Sequence, residues 1–300
     1  MNKYTYQQVY DSSLEYFHGD ELAAKVFVDK YSLKDNDENF YEKDPAGMHN
    51  RLASEFARIE SKKFKDPLSF EDIYGLFDHF KYIIPQGSPM FGIGNDHQIV
   101  SLSNCFVLET PLDSYSSILK TDEQLISISK RRGGTGINLS NLRPEGTPTN
   151  NAARTSTGVP TWMHRYSNSI REVGQGGRRG ALMLVLDVRH IDIEKFITIK
   201  QDRTQVTGAN ISVLINQDFI DKIAKNENFQ LQWPVNSKSP KRVKTIKAGD
   251  LWNLLIKAAR DHAEPGILMW DNILKGPADC YEKYRSEATN PCAELPLPSF

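Results

Sequence analysis

The chain has 300 residues, of which 39% are hydrophobic and 25% charged, with a formal net charge of −1. This balance fits one large globular domain, or a small one joined to a large one, and near-neutrality excludes a general electrostatic attraction to nucleic acid or to an anionic membrane. No apolar run reaches the ~18 residues of a membrane span, and the N-terminal MNKYTYQQVYDSSLEYF lacks an apolar signal-peptide core, so the expected location is the cytoplasm.

The first eighty residues read as helical. In DPAGMHNRLASEFARIESKKF, Asp44 is placed as N-cap and Pro45 at the first helical position. Met48, Leu52, Phe56 and Ile59 then form one apolar stripe. SFEDIYGLFDHFKYI repeats the pattern, with Ser69 as cap and Phe70, Ile73, Phe77 and Phe80 on one face. IIPQGSPMFGIGND (83–96) reads as a turn, either punctuation or a ligand-contacting loop with Ser88 as a donor. From there the texture alternates. A strand is expected over Gln98–Glu109, then helices over TDEQLISISKRR and GVPTWMHRYSNSIREV, the latter with Gly174 as C-cap. ALMLVLDV is a continuous apolar run, as expected of a strand buried on both faces. Helix IDIEKFITIK, strand ANISVLI, helix QDFIDKIAK, strand FQLQWPV, helix AGDLWNLLIKAARDHA and strand GILMW follow. Strands alternating with helices imply parallel pairing, hence an α/β domain built as an open doubly wound sheet or as a barrel. The one plausible seam lies near residues 80–90.

Several segments carry possible chemistry. RRGGTGINLSNLRPEG (131–146) and GQGGRRGA (174–181) are glycine clusters flanked by arginines. Neither is a dinucleotide fingerprint or a Walker loop, but both suit a phosphate, because consecutive glycines let backbone N–H groups converge on an anion. Three cysteines, Cys105, Cys280 and Cys292, lie far apart with no CxxC pair, which argues against a cysteine zinc site or a disulfide framework; no metal site is expected. Cys292 stands in ATNPCAELPLPSF, where Pro291, Pro296 and Pro298 favour an extended loop. In an extended chain Asn290, Cys292 and Glu294 share one face. A thiolate nucleophile would want a cation beside it, whereas the adjacent carboxylate disfavours the thiolate. The electrostatics favour a neutral thiol passing through a one-electron state, with Glu294 as a base toward a hydroxyl.

SLSNCFVLE, RRGGTGINLSNLRPEG, GQGGRRGALM, HIDIEKFI and TNPCAELPLP occur in that order. Together they make the chain resemble the catalytic (large) subunit of ribonucleotide reductase, from about Ile83 to Phe300, with an N-terminus similar to that family's helical domain. The resemblance implies residues 1–84 as a helical domain and 85–300 as the first half of a ten-stranded α/β barrel ending in its finger loop. The implied activity is thiyl-radical reduction of ribonucleotides to 2′-deoxyribonucleotides, at the diphosphate level. Cys292 would become the thiyl radical, Glu294 the base at the 3′-hydroxyl, Asn290 a substrate hydrogen-bonding partner and Cys105 the first of two reducing cysteines. Ser88, Asn104, Gly133 and Gly134 match positions lining the substrate. Asp113, Ser114 and Arg143 match positions that bind a deoxynucleotide or ATP effector. KQDRTQVTGAN (200–210) sits where the family has a flexible loop linking effector and substrate sites.

The chain also departs from the family pattern. The second reducing cysteine should follow the finger, and Cys280 precedes it. The second half of the barrel, its substrate-phosphate loop and a C-terminal cysteine pair are not in the sequence, and no regulatory ATP-binding module precedes the helices. The expectation is a fragment or one piece of a split enzyme, inactive without a complementing C-terminal polypeptide. By resemblance the partners are a ribonucleotide, a nucleotide effector, a thioredoxin- or glutaredoxin-type reductant, a second copy of the chain, and a radical source. That source is adenosylcobalamin, toward which the texture of the motifs leans, or a metal-carrying small subunit. The competing reading is a non-catalytic nucleotide-binding remnant or regulatory α/β protein.

Overall fold

The computed structural model describes residues 3–173, 180–276 and 284–299. They form two compact units, one running to Asn104 and the other beginning at Cys105.

The first unit is helical. Helices α1 (Tyr6–Tyr16), α2 (Glu21–Lys30), α3 (Pro45–Lys63), α4 (Phe70–Phe77) and α5 (Gly87–Gly92) follow one another. Asp44 caps α3, accepting the Gly47 N–H, and Ser69 and Asp72 form a reciprocal capping box on α4, which satisfies orphan donors at both helix starts. Val9, Phe27, Val28, Met48, Leu52, Ile73 and Phe77 form the core. The predicted α4 stripe runs one turn too far. The helix ends at Phe77, and His79 and Phe80 adopt positive φ (50° and 56°), so Phe80 belongs to a short 3₁₀ turn. Segment 83–96 is not merely a turn, since it holds α5.

The second unit is a five-stranded sheet of β1 (Cys105–Val107), β2 (Gly134–Asn138), β3 (Leu182–Asp187), β4 (Asn210–Ile215) and β7 (Gly266–Met269), in that spatial order and parallel throughout. Between them run α6 (Tyr115–Ser129), α7 (Val159–Glu172), α8 (Ile193–Thr198), α9 (Gln217–Ala224) and α10 (Ala248–His262). Strand residues alternate faces. Leu182, Leu184, Leu186, Ile211, Val213 and Ile215 pack with the residues of α6 to α10 in one core. Met183, Val185, Leu214, Leu268 and Val107 face the other way, against Ala288 and Leu297 of a late segment. Strand order never reverses, and these five helices share one face. A doubly wound sheet reverses its order at a switch point and carries helices on both faces, so the arrangement is the barrel type.

Three expectations are corrected here. The strand expected over 98–109 is only β1, because Ser101 Oγ turns the chain by accepting the Ser103 N–H. β2 was not expected at all. The FQLQWPV strand, β5 (Asn228–Trp233), lies outside the parallel sheet and pairs antiparallel with β6 (Arg242–Lys247) as a separate ribbon. The chain then continues through α11 (Trp270–Leu274) to the short pair β8 (Ala288–Thr289) and β9 (Pro296–Leu297). Among the described residues no helix is long and apolar enough to cross a membrane. Gly174 and the rest of the second glycine cluster through Arg179, and Cys280, lie outside the described residues.

Candidate active site: a finger across the sheet and a second cleft

The late segment crosses the sheet face opposite the helices, running antiparallel to β2. Asn138 Nδ2 donates to the Glu287 carbonyl at 2.9 Å. A Cβ on Gly136 would lie 1.6 Å from the Thr289 carbonyl oxygen, and one on Gly134 would lie 2.6 Å from Pro291 Cγ. The register is two residues against two, and glycine stands at each point where the crossing backbone meets the strand. This is why GGTGIN is glycine-rich. The glycines admit a close backbone approach and do not build an anion nest. The N–H groups of Arg131, Gly133 and Thr135 donate to Ile128, Ile128 and Ala181 carbonyls, so the phosphate reading of this cluster is corrected. Gly134 faces the finger; Gly133 faces the other way, toward Ile128 and Phe106.

The finger root is tied by Glu287, whose Oε2 accepts from the Thr110 N–H and hydroxyl at 3.1 and 3.0 Å. Its tip is a closed turn, where an extended loop was expected. The Asn290 N–H donates to the Leu295 carbonyl (3.1 Å) and the Ala293 N–H to the Asn290 carbonyl (3.1 Å). The Leu295 N–H donates to Asn290 Oδ1 at 2.9 Å, and Ala293 sits at φ 69°. The shared-face expectation for Asn290, Cys292 and Glu294 therefore fails: Asn290 is fully buried and holds the turn, while Cys292 and Glu294 are exposed. Asn210 Nδ2 reaches across from β4 to the Pro291 carbonyl at 3.2 Å.

This turn brings three predicted residues to one place. Asn290 Nδ2 donates to Cys105 Sγ at 3.2 Å. Cys105 opens β1 opposite Gly134, and no disulfide joins the two described cysteines. The Cys292 thiol is pushed above its ordinary pKa, first by partial burial, then by the negative charge of Glu294 and by Cys105. It is held as S–H at neutral pH, as the carboxylate two residues away demands. A radical generator would need from the protein an accessible sulfur that keeps its hydrogen, and Cys292 offers one. Among the described residues no cluster of three His, Cys, Asp or Glu side chains could hold a metal ion.

A second site lies at the start of α6. A cleft of about 270 Å³ is lined by Asp113, Ser114 and Arg143, the three predicted effector residues, with Tyr115 and Trp162. Ser114 caps α6 through the Ser117 N–H, and Asp113 takes both the backbone N–H (3.0 Å) and Nε (2.7 Å) of Arg143. Tyr115 and Trp162 meet edge to face at 5.7 Å. Sequence reading missed the facing wall, formed by Thr149, Asn151, Thr155, Ser156 and Thr157. Its signal was TPTNNAARTSTG, a run of hydroxyls and amides folded back on itself by the Ser156 N–H to Thr147 carbonyl bond (2.9 Å).

The remaining predicted residues fall elsewhere. Ser88 and Asn104 lie in the helical unit; Ser88 is buried, and its backbone N–H donates to Asn104 Oδ1 at 2.8 Å. Segment 200–210 links α8 to β4. It is anchored where Gly208 N–H meets Ser167 Oγ (2.9 Å), where Arg171 meets Thr207 (2.9 Å), and where Lys200 pairs with Glu264.

Comparison with known proteins meets this geometry. Residues 103–299 match the family model described as ribonucleotide reductase, barrel domain. The vitamin B12-dependent ribonucleoside-diphosphate reductase of Thermoplasma acidophilum is 33% identical over 231 residues, covering 76% of this chain and 28% of that protein. The protein of the same description from Mycobacterium tuberculosis is 34% identical over 217 residues, covering 71% and 30%. The ribonucleoside-diphosphate reductase large chain of Cryptosporidium parvum is 26% identical over 216 residues, covering 64% and 27%. The chain thus spans about three-tenths of the length of these relatives. A helix-backed parallel sheet crossed by a cysteine-bearing finger, together with a family match over the whole of that unit, means that this chain belongs to the ribonucleotide reductase family.

Proposed function

We propose that the chain supplies the thiyl-radical half of a ribonucleotide reductase catalytic subunit, acting on ribonucleoside diphosphates, with a helical domain ahead of a half-barrel that begins at Cys105, later than the 84/85 boundary read from the sequence. The observation that carries this reading is the finger tip. A protonated thiol, Cys292, stands exposed on a turn locked by Asn290, whose amide also touches the sulfur of Cys105. The printed names of the relatives, which include vitamin B12 dependence, support the activity and favour adenosylcobalamin as radical source. When bound, that cofactor supplies a carbon-centred radical able to take a hydrogen atom from a thiol.

The residues then divide the work. The Cys292 sulfur, one hydrogen atom short, takes the 3′-hydrogen atom of the ribose. Glu294 accepts the 3′-hydroxyl proton, a general-base role open to an exposed carboxylate. The 2′-hydroxyl leaves as water with a proton from the Cys105 thiol. C2′ takes the hydrogen of a second thiol of the complete enzyme; that sulfur and Cys105 supply the two electrons and end as a disulfide, which an external dithiol protein reduces, and Glu294 returns its proton to the 3′-oxygen. Cys292 finally returns its hydrogen atom to C3′. On this reading Gly134 lies on the substrate face beneath the finger, Gly133 faces the opposite way and takes no part, and Asp113, Ser114 and Arg143 hold a deoxynucleotide or ATP that sets substrate choice through residues 200–210. Two copies of the chain pair in the working enzyme.

The test is reduction of a ribonucleoside diphosphate by the chain joined to the remainder of its barrel, with adenosylcobalamin and a dithiol. Turnover that disappears in Cys292→Ser is expected. Turnover that persists in Cys292→Ser refutes the radical role, and no turnover with any radical source leaves the nucleotide-binding remnant as the better reading.

A further inference from the structure

HIDIEKFI has no part in the finger, yet two of its polar residues, His190 and Asp192, are buried and hydrogen-bonded. His190 is fully buried and Asp192 is 4% exposed. The Asp192 N–H donates to His190 Nδ1 at 3.0 Å, which makes Nδ1 the acceptor and leaves Nε2–H to donate to the Leu142 carbonyl at 2.8 Å. Burial lowers the pKa of His190 and keeps this tautomer neutral. The Asp192 carboxylate accepts the Glu145 N–H (3.1 Å) and the Val159 N–H (3.0 Å). Gly158 admits it: φ is 78° there, and a Cβ would lie 2.6 Å from Asp192 Oδ2. The ribbon adds support, with Trp233 Nε1 on the Asn141 carbonyl (3.1 Å) and Arg242 Nη1 on the Glu145 carbonyl (2.8 Å).

Apart from the Asp192–His190 bond, all of these fall on the ends of one segment, 141–159. Its middle is the facing wall of the cleft, Thr149, Asn151, Thr155, Ser156 and Thr157, and Arg143 lies between the bonded residues at its start. We propose that His190 and Asp192 are positioning residues for the nucleotide cleft, holding both ends of that wall so that a deoxynucleoside triphosphate meets it already formed. The proposal rests on the reading of the cleft as the effector site. A loop ordered before binding does not lose its conformational freedom at the binding step, so releasing the clamp weakens binding without removing any group that touches the nucleotide.

The experiment measures dATP and dTTP binding to the intact chain by calorimetry, at a temperature where every variant is folded. Asp192→Asn is expected to bind roughly tenfold more weakly, the equivalent of about 1.4 kcal/mol. His190→Leu should behave alike, and His190→Gln, which can still donate and accept, should recover most of the affinity. A buried substitution away from the cleft, Phe219→Leu on α9, controls for stability alone and should bind as the parent does. Unchanged affinity in Asp192→Asn, or an equal loss in Phe219→Leu, overturns the proposal. If Asp192→Asn does not fold, Arg242→Gln carries the same test from the partly exposed ribbon, with about threefold weaker binding expected and unchanged binding overturning it. A parent chain that binds neither nucleotide overturns the cleft reading itself, and the clamp proposal with it.

Discussion

Replacing Gly136 with alanine should dislodge the finger. The added Cβ would lie 1.6 Å from the Thr289 carbonyl oxygen and 2.8 Å from its carbon, against 3.4 Å or more for an ordinary contact. Backbone must therefore move by about 2 Å. It cannot slide, because the Glu287 carbonyl is held by Asn138 and the Pro291 carbonyl by Asn210. Losing two such hydrogen bonds costs about 1 kcal/mol each, and residual overpacking adds about 1–3 kcal/mol. Gly136→Ala should thus lose about 3–5 kcal/mol in denaturant unfolding of the second unit. Amide exchange at Asn290, Ala293 and Leu295 should accelerate by more than about tenfold, since those N–H groups are protected only by the finger turn. Gly249 is the matched control. It lies in the first turn of α10 with nothing within 4 Å of its Cβ position, so Gly249→Ala should stabilise by about 0.5–1 kcal/mol. A Gly136→Ala protein within about 1 kcal/mol of the parent, with finger exchange unchanged, would refute the crossing of β2 by backbone.

Three further outcomes follow from the same structure. Glu294→Gln removes a charge that raises the Cys292 pKa, so the pH profile of Cys292 alkylation, followed by peptide mass spectrometry, should move to lower pH; an unmoved profile denies the carboxylate its influence. In the helical unit His49 is fully buried among Tyr16, Phe77 and Phe80, and Asp44, Asp78 and His79 supply the nearby charge. Desolvation lowers its pKa from 6.5 to about 4. The unfolded chain therefore binds the proton first, and the stability present above pH 6.5 is lost as pH falls toward 4. The ceiling is about 3 kcal/mol by conversion of the shift. The interval from pH 7 to pH 4.5 covers most of that window, so His49→Leu should remove about 2 kcal/mol from the difference in unfolding free energy between the two pH values. Arg51 pairs with Glu42, whose side chain is 4% exposed, at 2.6 Å, and also donates to the Met90 carbonyl at 2.8 Å. Arg51→Met strands a buried carboxylate and should cost about 3–5 kcal/mol, with much of that recovered in Arg51→Met/Glu42→Gln; a loss below about 1 kcal/mol contradicts the pairing.

What was legible in the sequence was whatever local chemistry dictates. Asp44 before Pro45 and Ser69 before Asp72 announce helix starts, and ALMLVLDV announces a strand buried on both faces. β2 was illegible because its glycines answer to a segment 150 residues downstream, Thr289 against Gly136, and nothing local distinguishes that use from a turn. β5 was misplaced although its signal was present. FQLQW alternates apolar with polar, and the observed burial alternates with it, as a half-exposed antiparallel ribbon does and a buried parallel strand does not. At the site, the Glu294 effect on Cys292 was legible because it acts over two residues. The turn that buries Asn290 was not, because it depends on Leu295 returning over the same atoms. The His190–Asp192 clamp was invisible for the same reason. Its partners, Leu142, Glu145 and Val159, are 33 to 48 residues away.

The division of labour between Cys292 and Cys105 is tested most directly with 3′-deuterated ribonucleoside diphosphate, using the chain joined to the remainder of its barrel. The parent should show slowed turnover with the deuterated substrate. Cys105→Ser should still react at C3′, with deuterium-sensitive substrate loss but no deoxynucleotide, and Cys292→Ser should do neither. Deuterium-sensitive consumption of substrate by Cys292→Ser would contradict the assignment of the radical to the sulfur on the finger.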